Sequence, residues 1–400
     1  MNLAVAVDYL YPDMMGGAYT YAHDVAQRLA ARGHRCFGIS AHPGDGRPMR
    51  EKIGGIEYYR YPLRRGSHIL SFASLFAGSM RAARAIAKEH GIDVLHTHEP
   101  MSSVGACIAA RSSGWRRGAP APPQLATMHG TSSLSEYLCE VRSERDRGRD
   151  LPYRIAIDTL ERWYLRQARR LTALSRYSCD AYARHHGLDP TRVAILPPGV
   201  DLERFRPGQR DEARRRLGLP LERPIVLSVR RLTRRMGLDL LIRAARLVAD
   251  QMPQLLLLIG GKGPLRSQLE ALIADLNLEE NARLVGLVSP EELPLYYQAA
   301  DLFALPSVAS EGFGIVTVEA LACDLPVLAT PVGGSVDILQ PLDPEMLFAD
   351  TTPEAMAERI VAWLKKPRER SYHAQIVERY NWDRCLDGFE AVLAGLGNGR

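Results

Sequence analysis

Short apolar runs alternate with longer helical stretches along this chain, and they do so twice. That alternation constrains the fold more than any other feature. Strands separated by helices of roughly 10–15 residues join through right-handed crossovers into parallel sheets covered on both faces. In the first half, 3–7 (LAVAV), 35–40 (RCFGIS), 93–99 (DVLHTHE) and 124–130 (QLATMHG) read as strands, IEYYRYP follows the second, and LTALS and RVAILPPG close the set. Helical spacing fills YTYAHDVAQRLAARG, a stretch near 69–90 and an amphipathic stretch near 151–170. In the second half the strands fall at 224–229, 254–260, 282–288, 301–307 and 326–330, with helices near 237–251, 264–276, 290–299 and 314–323. Four hundred residues exceed one ordinary core. The expectation is an α/β chain of two Rossmann-like, doubly wound parallel-sheet domains, 1–198 and 199–379, joined at PPGVDLERFRPG, where prolines and glycines stiffen the chain. Ligands of such sheets bind outside the carboxyl ends of the strands, so the interdomain cleft is the expected active site.

Several function classes fall away. No apolar run approaches the ~20 residues of a membrane span. MNLAVAVDYLYPD lacks a basic start and meets Asp8, so no signal peptide is read and a cytoplasmic location is expected. The six cysteines are scattered without a C-x-x-C pair, which argues against a disulfide frame or a zinc site. Residues 1–198 hold 27 Lys+Arg against 18 Asp+Glu, a balance of +9, while residues 199–400 hold 24 against 28, a balance of −4. Arg-rich stretches lie near 60–65, 111–117 and 142–154. Peripheral contact with an anionic membrane is expected from that basic half, with solvated helix faces as the plainer explanation. No nucleic-acid partner is expected.

The chemistry concentrates in residues 310–330, SEGFGIVTVEALACDLPVLAT. Gly312 and Gly314 bracket Phe313 at a strand-to-helix turn, where backbone N–H groups and a helix N-terminus can approach an anion or a sugar. Glu311 and Glu319 are carboxylates able to accept paired hydroxyls, or else a helix cap and a solvated helix residue. His129 ends a strand and precedes Gly130, a placement shared by site and by structural histidines. Gly16-Gly17 suits a phosphate loop or a simple turn. His96 and His98 have H-x-H spacing, but no carboxylate or Cys completes a metal set. No D-x-D and no G-x-S-x-G occurs, and no second carboxylate pair is evident. Neither metal nor cofactor is expected.

E-G-F-G followed by Glu319 after seven intervening residues resembles the motif of glycosyltransferase family 4, with its two-domain GT-B fold. The resemblance runs in order over nearly the whole chain, through MMGGAYTYAHDVAQRLAARGH, DVLHTHEP, TMHG, ILPPGVDLERFRP, SVRRLTRRMGLDLLIRA, LIGGKGP, GLVSPEELPLYYQAADLFALPS, PVGG and YNWDRCLDGFEAVL. It implies an acceptor-binding first domain, a nucleotide-sugar-binding second domain, and a helix at about 380–400 crossing back onto the first. Glu319 would bind the nucleotide ribose. Glu311 and the backbone of Gly312, Phe313 and Gly314 would hold the donor sugar, and Arg231 would contact the diphosphate. Gly16 and Gly17 would close over the phosphates, His129 would sit beside the sugar near its 6-position, and Leu287 and Val288 would frame the base. One segment departs from the family pattern. Gly-Arg-Leu before and Lys-Gly after become Arg230-Arg231-Leu232 and Met236-Gly237, so Met236 stands where a phosphate-neutralising Lys is usual. Arg234 and Arg235 are the candidates to replace its charge.

The activity implied is retaining, metal-independent transfer of a hexose-type sugar from a nucleotide-diphosphate donor to a hydroxyl of a glycan, lipid-linked or small-molecule acceptor. The alternatives are a non-catalytic nucleotide-binding subunit, favoured by Met236, and a nucleotide-sugar epimerase. A phosphorylase would need a cofactor lysine, and Lys262, Lys365 and Lys366 are not placed for one.

Overall fold

Thirteen strands form among the described residues, in two sheets. The computed structural model describes all residues except 15, 65–67, 113–119, 141–143, 367–370 and 398–400 and, within its helices, the side chains of 68–69, 137–140, 144–150 and 397. The first sheet contains β1 (Asn2–Ala6), β2 (Arg35–Ala41), β3 (Arg50–Ile53), β4 (Ile56–Tyr61), β5 (Val94–Thr97), β6 (Gln124–Met128), β7 (Arg170–Ala173) and β8 (Val193–Ile195), in the order β3-β4-β2-β1-β5-β6-β7-β8. The second contains β9 (Ile225–Val229), β10 (Leu256–Gly260), β11 (Ala282–Gly286), β12 (Leu302–Leu305) and β13 (Val327–Ala329), in the order β11-β10-β9-β12-β13. The chain divides into one unit of residues 1–197 with 385–400 and another of 198–384.

The second sheet is wholly parallel and its interior strands are almost fully buried. The first is mixed, because β3 pairs antiparallel with β4. Sequence reading missed β3, since REKI is short, charged and only partly buried. Those are the properties that keep a sheet edge from recruiting a further strand. The helix read near 151–170 instead runs Glu144–Gln167, with Pro152 inside it, and the chain from Arg170 is already β7. The helix Pro100–Arg111 was also unread, because PMSSVGACIAAR has almost no polar face and eight of its residues are buried.

Strand order reverses between β1 and β5 in one sheet and between β9 and β12 in the other. Each reversal sends successive helices to opposite faces and leaves a crevice at the carboxyl edge, so each sheet has one preferred ligand position. The segment leading into the second sheet is fixed by Arg214, which is fully buried. Its guanidinium donates to the carbonyls of Ala299, Pro220, Leu221 and Arg223 and to Asp301 Oδ2 at 2.8 Å. Asp301 Oδ2 also accepts from the Ile225 amide at 2.6 Å, so one ion pair sets the start of β9.

The last segment of the first unit comes from the chain's far end. The helix Trp382–Gly397 places Phe389, fully buried, beside Tyr21 and His96, with ring centroids 6.5 and 5.7 Å away. Arg32 pairs with Asp387 at 2.6 Å and Glu390 at 2.9 Å on the same helix.

No helix among the described residues is long and apolar enough to cross a membrane. Of the Arg-rich stretches, Arg60 is buried in ion pairs with Asp13 and Glu51 and is not a surface charge. Residues 65, 113–117 and 142–143 lie outside the described residues. The five described cysteines are buried and free; Cys139 lies among the undescribed side chains.

Candidate active site

At the β9/β12 switch point the loops after both strands are held by a buried ion pair. Arg230 follows β9; its Nη2 donates to Glu311 Oε2 and its Nη1 to Ser307 Oγ at 3.0 Å. Ser307 Oγ in turn donates to the same carboxylate oxygen at 3.1 Å. Burial alone would raise the Glu311 carboxyl, but the charges of Arg230 and Arg235 and the bond from Ser307 hold it below its usual range. Glu311 is therefore ionised, with Oε2 committed to the protein. Gly237 closes the Arg230 loop at φ 64°, where a Cβ would lie 1.9 Å from the Pro306 carbonyl oxygen, so only glycine lets the two loops meet.

Glu311 leads into Gly312, Phe313 and Gly314. Gly314 adopts φ 82° and caps the helix Ile315–Ala322, whose first N–H groups receive no side-chain cap. Uncapped N–H groups at a helix N-terminus favour a negatively charged partner. Phe313 is buried, edge-on to Tyr380 at 5.8 Å. Glu319 lies in the second turn of that helix, and Tyr297 donates to its Oε2 at 3.0 Å. The structure thus gathers Glu311, Gly312, Phe313, Gly314 and Glu319 on one turn and helix. Arg235 joins them through its Nη1, which donates to the Ser310 carbonyl at 3.0 Å.

Arg231 and Arg234 are exposed, while Met236 is buried. Leu287 is 54% exposed just after β11, and Val288 packs against Gly260. Arg230, Ser307 and Tyr297 were not singled out from the sequence. The one signal was Arg230 itself, at a position where the family pattern has Gly. A cavity of about 560 Å³ lies at the opposite, amino-terminal edge of this sheet, lined by Pro224, Asp301 and Cys323 among others, away from these groups.

The first unit repeats the plan with different chemistry. Gly16 stands before the helix Gly17–Ala31 without a side-chain cap, in extended backbone, and nothing lies within 4 Å of a Cβ built on Gly17. His98 and His129 end β5 and β6, and His98 Nδ1 meets His129 Nε2 at 2.8 Å. His96 Nε2 meets Thr127 Oγ1 at 2.7 Å. Burial lowers His96 and His129 to about 3 and His98 well below its usual value, so all three are neutral at physiological pH. One nitrogen of the His98–His129 pair donates and the other accepts, which links their tautomers. Either His129 presents Nδ1–H and His98 a bare Nε2, or the reverse. Those two outer nitrogens have no partner among the described residues.

At the β1/β5 switch point sit two half-buried carboxylates that the sequence did not reveal as a pair. Glu99 Oε2 accepts from the Asp8 amide at 3.2 Å, and Asp8 Oδ1 accepts from the Ser102 amide at 2.9 Å in the first turn of Pro100–Arg111. Burial and the neighbouring Asp8 push Glu99 well above its usual value, and burial raises Asp8 despite its bonds from Ser102. Among the described residues the buried Tyr61 hydroxyl has no partner, and burial together with the charges of Asp8, Tyr9 and Glu99 pushes it well above its usual value. Elsewhere in this unit Asp158, His185 and His186 bring potential ligand atoms within 4.8 Å of one another. His185 is bonded to Asp158 at 2.7 Å and His186 to Glu161 at 3.1 Å.

Comparison with known proteins shows the family of the chain. The family model for Glycosyltransferase Family 4 matches residues 15–204, and that for Glycosyl transferases group 1 matches 209–379. D-inositol 3-phosphate glycosyltransferase 1 of Catenulispora acidiphila is 32% identical over 94% of this chain and 90% of its own. The chain belongs to glycosyltransferase family 4. A glycosyltransferase relative from Nocardiopsis dassonvillei, also named for D-inositol 3-phosphate, is 29% identical over 93% of this chain and 88% of its own. Among solved structures, sucrose-phosphate synthase of Thermosynechococcus elongatus superposes with TM-score 0.77 at 24% identity, covering 99% of this chain and 98% of that one. Anabaena HepE, solved with UDP and glucose, gives 0.75 at 20% identity, over 99% and 100%. This glycosyltransferase has the GT-B fold expected from its motifs.

The neutral histidines give a pH dependence. With a folded value near 3 against 6.5 for the free side chain, His96 takes up its proton first in the unfolded chain. Its share of stability is complete above pH 6.5 and is lost as pH falls toward 3. At pH 5 the loss is about 2 kcal/mol relative to neutral pH. His96→Gln should flatten the fall in Tm between pH 7 and 5, measured by calorimetry. An unchanged slope refutes the assignment.

Proposed function

We propose that this glycosyltransferase moves a hexose-type sugar from a nucleotide-diphosphate donor, held by the second unit, to a hydroxyl of an acceptor held by the first, with retention and without metal or cofactor. The observation that carries this reading is the turn from Glu311 to Gly314 with Glu319 above it. An ionised carboxylate there has one oxygen anchored by Arg230 and Ser307. Its Oε1, near Gly314, is left for sugar hydroxyls. The donor C1–O bond breaks with its electron pair passing to the diphosphate. The acceptor oxygen bonds to C1 on the same face, and its proton goes to the departing phosphate. Cationic side chains and the uncapped N-terminus of Ile315–Ala322 meet that charge, a role often given to a metal held by D-x-D. NMR of the product formed in EDTA tests both points: the anomeric configuration of the donor should persist at undiminished rate. Inversion, or loss of turnover in EDTA, refutes them.

Glu319 is assigned to the ribose hydroxyls, with Tyr297 fixing its rotamer. Glu319→Ala should weaken nucleoside diphosphate binding by roughly 1.5–3 kcal/mol, about ten- to a hundredfold in Kd. Calorimetry with the UDP, GDP, ADP and dTDP series reads this and identifies the base. Unchanged affinity means the motif is misassigned.

The acceptor is assigned as a polyol without phosphate. The β1/β5 switch point carries Asp8 and Glu99, and Asp8 already occupies the first turn of Pro100–Arg111, where an anion would otherwise bind. Carboxyl groups exchange hydrogen bonds with hydroxyls in either protonation state, and whatever charge they keep opposes a phosphate. Turnover should favour inositol over D-inositol 3-phosphate, and glucose over glucose 6-phosphate, by about tenfold in kcat/KM or more. Preference for the phosphorylated partner refutes this assignment and matches the substrate in the relatives' names.

A further inference from the structure

The two departures from the family pattern in the phosphate segment, Arg230 for Gly and Met236 for Lys, meet in space. Arg230 Nη2 lies 2.9 Å from Met236 Sδ, and both side chains are buried. A thioether is a weak acceptor and carries no charge. The place from which a Lys at 236 would act is therefore filled by a guanidinium arriving from six residues earlier. Arg234 and Arg235 do not reach it: Arg234 is exposed, and Arg235 is spent on the Ser310 carbonyl at 3.0 Å.

A guanidinium has five N–H groups. Arg230 uses three, on Ser307, Met236 and Glu311. Among the described residues the remaining Nη1–H and the Nε–H have no partner, and Nε is not among the buried atoms sealed without one. A free edge of a guanidinium beside an uncapped helix N-terminus suits phosphate oxygens.

We propose that Arg230 is the diphosphate-facing cation of this glycosyltransferase, and that Gly→Arg at 230 and Lys→Met at 236 form one compensating exchange. This rests on the second unit being the nucleotide-sugar site. Arg230 also sets the charge state and direction of Glu311, so one side chain couples the leaving group's site to the sugar's. A purely structural role for the ion pair would change stability but not the discrimination between one phosphate and two.

The test is calorimetry on the full chain with nucleoside diphosphate and monophosphate of the base that the wild type binds. Wild type should favour the diphosphate by about tenfold or more, roughly one hydrogen-bonded charge contact. R230M should bring that ratio to near one while moving monophosphate affinity by less than about threefold. Adding the family's lysine, R230M/M236K, should recover at least about half of the lost ratio on a logarithmic scale. An unchanged ratio in R230M overturns the proposal, as does a double variant with the ratio of the single one. If R230M cannot be isolated folded because Glu311 is left unpaired, the double variant decides alone. A ratio within about threefold of wild type supports the exchange, and a ratio near one overturns it. Failure of the underlying reading is distinct: wild type would then bind no nucleotide of any base.

Discussion

One buried guanidinium–carboxylate pair organises the second unit. Arg230 comes from the loop after β9 and Glu311 from the loop after β12, strands that are neighbours in space although β10 and β11 lie between them in sequence. Pairing them brings the two loops against each other, and Gly237 is the residue that lets the backbones approach. From there the chain can only continue through Gly312 to Gly314 into the helix that carries Glu319. A buried ion pair seldom adds much net stability, because desolvation offsets attraction. Its value here is positional. It fixes which carboxylate oxygen is spoken for and which remains, and removing either partner strands a charge inside the protein.

The same sheet plan occurs twice with different electrostatics. Each sheet reverses strand order once, and the groups at the two reversals differ in charge state. Arginine and an ionised carboxylate occupy β9/β12, whereas β1/β5 holds two carboxyls that burial drives toward the protonated state. The three histidines beside the latter are neutral because burial makes an imidazolium too costly there. A basic composition for residues 1–198 thus coexists with an acidic crevice. Arg60 adds nothing to the outer face of this unit, since Asp13 and Glu51 neutralise it internally.

Periodicity alone located the parallel strands, because strands buried on both faces read as continuous apolar runs such as LLLLIG. It missed what breaks that rule: the charged edge strand β3 and the small-residue helix Pro100–Arg111. Within the motif, Glu311, Glu319 and the glycines were legible because their spacing along one turn is local. Arg230–Glu311 and Asp8–Glu99 were not, since their partners are 81 and 91 residues apart and only the strand order makes them neighbours. Met236 was legible as a gap in charge. What lies against it was hidden, because Arg234 and Arg235 stand immediately before Met236 in sequence whereas Arg230, six residues back, is brought to it only by the fold.

The helix Trp382–Gly397 gives the first unit its Phe389, which closes the space beside Tyr21 and His96, and gives Arg32 its carboxylate partners. Those residues leave the ribosome after the whole of the second unit. During synthesis the first sheet waits, with the apolar seat of Phe389 open and its buried histidines within reach of water, while residues 198–384 are made and folded. The unit that begins first therefore finishes last, and a nascent chain stalled anywhere in the second half exposes that seat to chaperones.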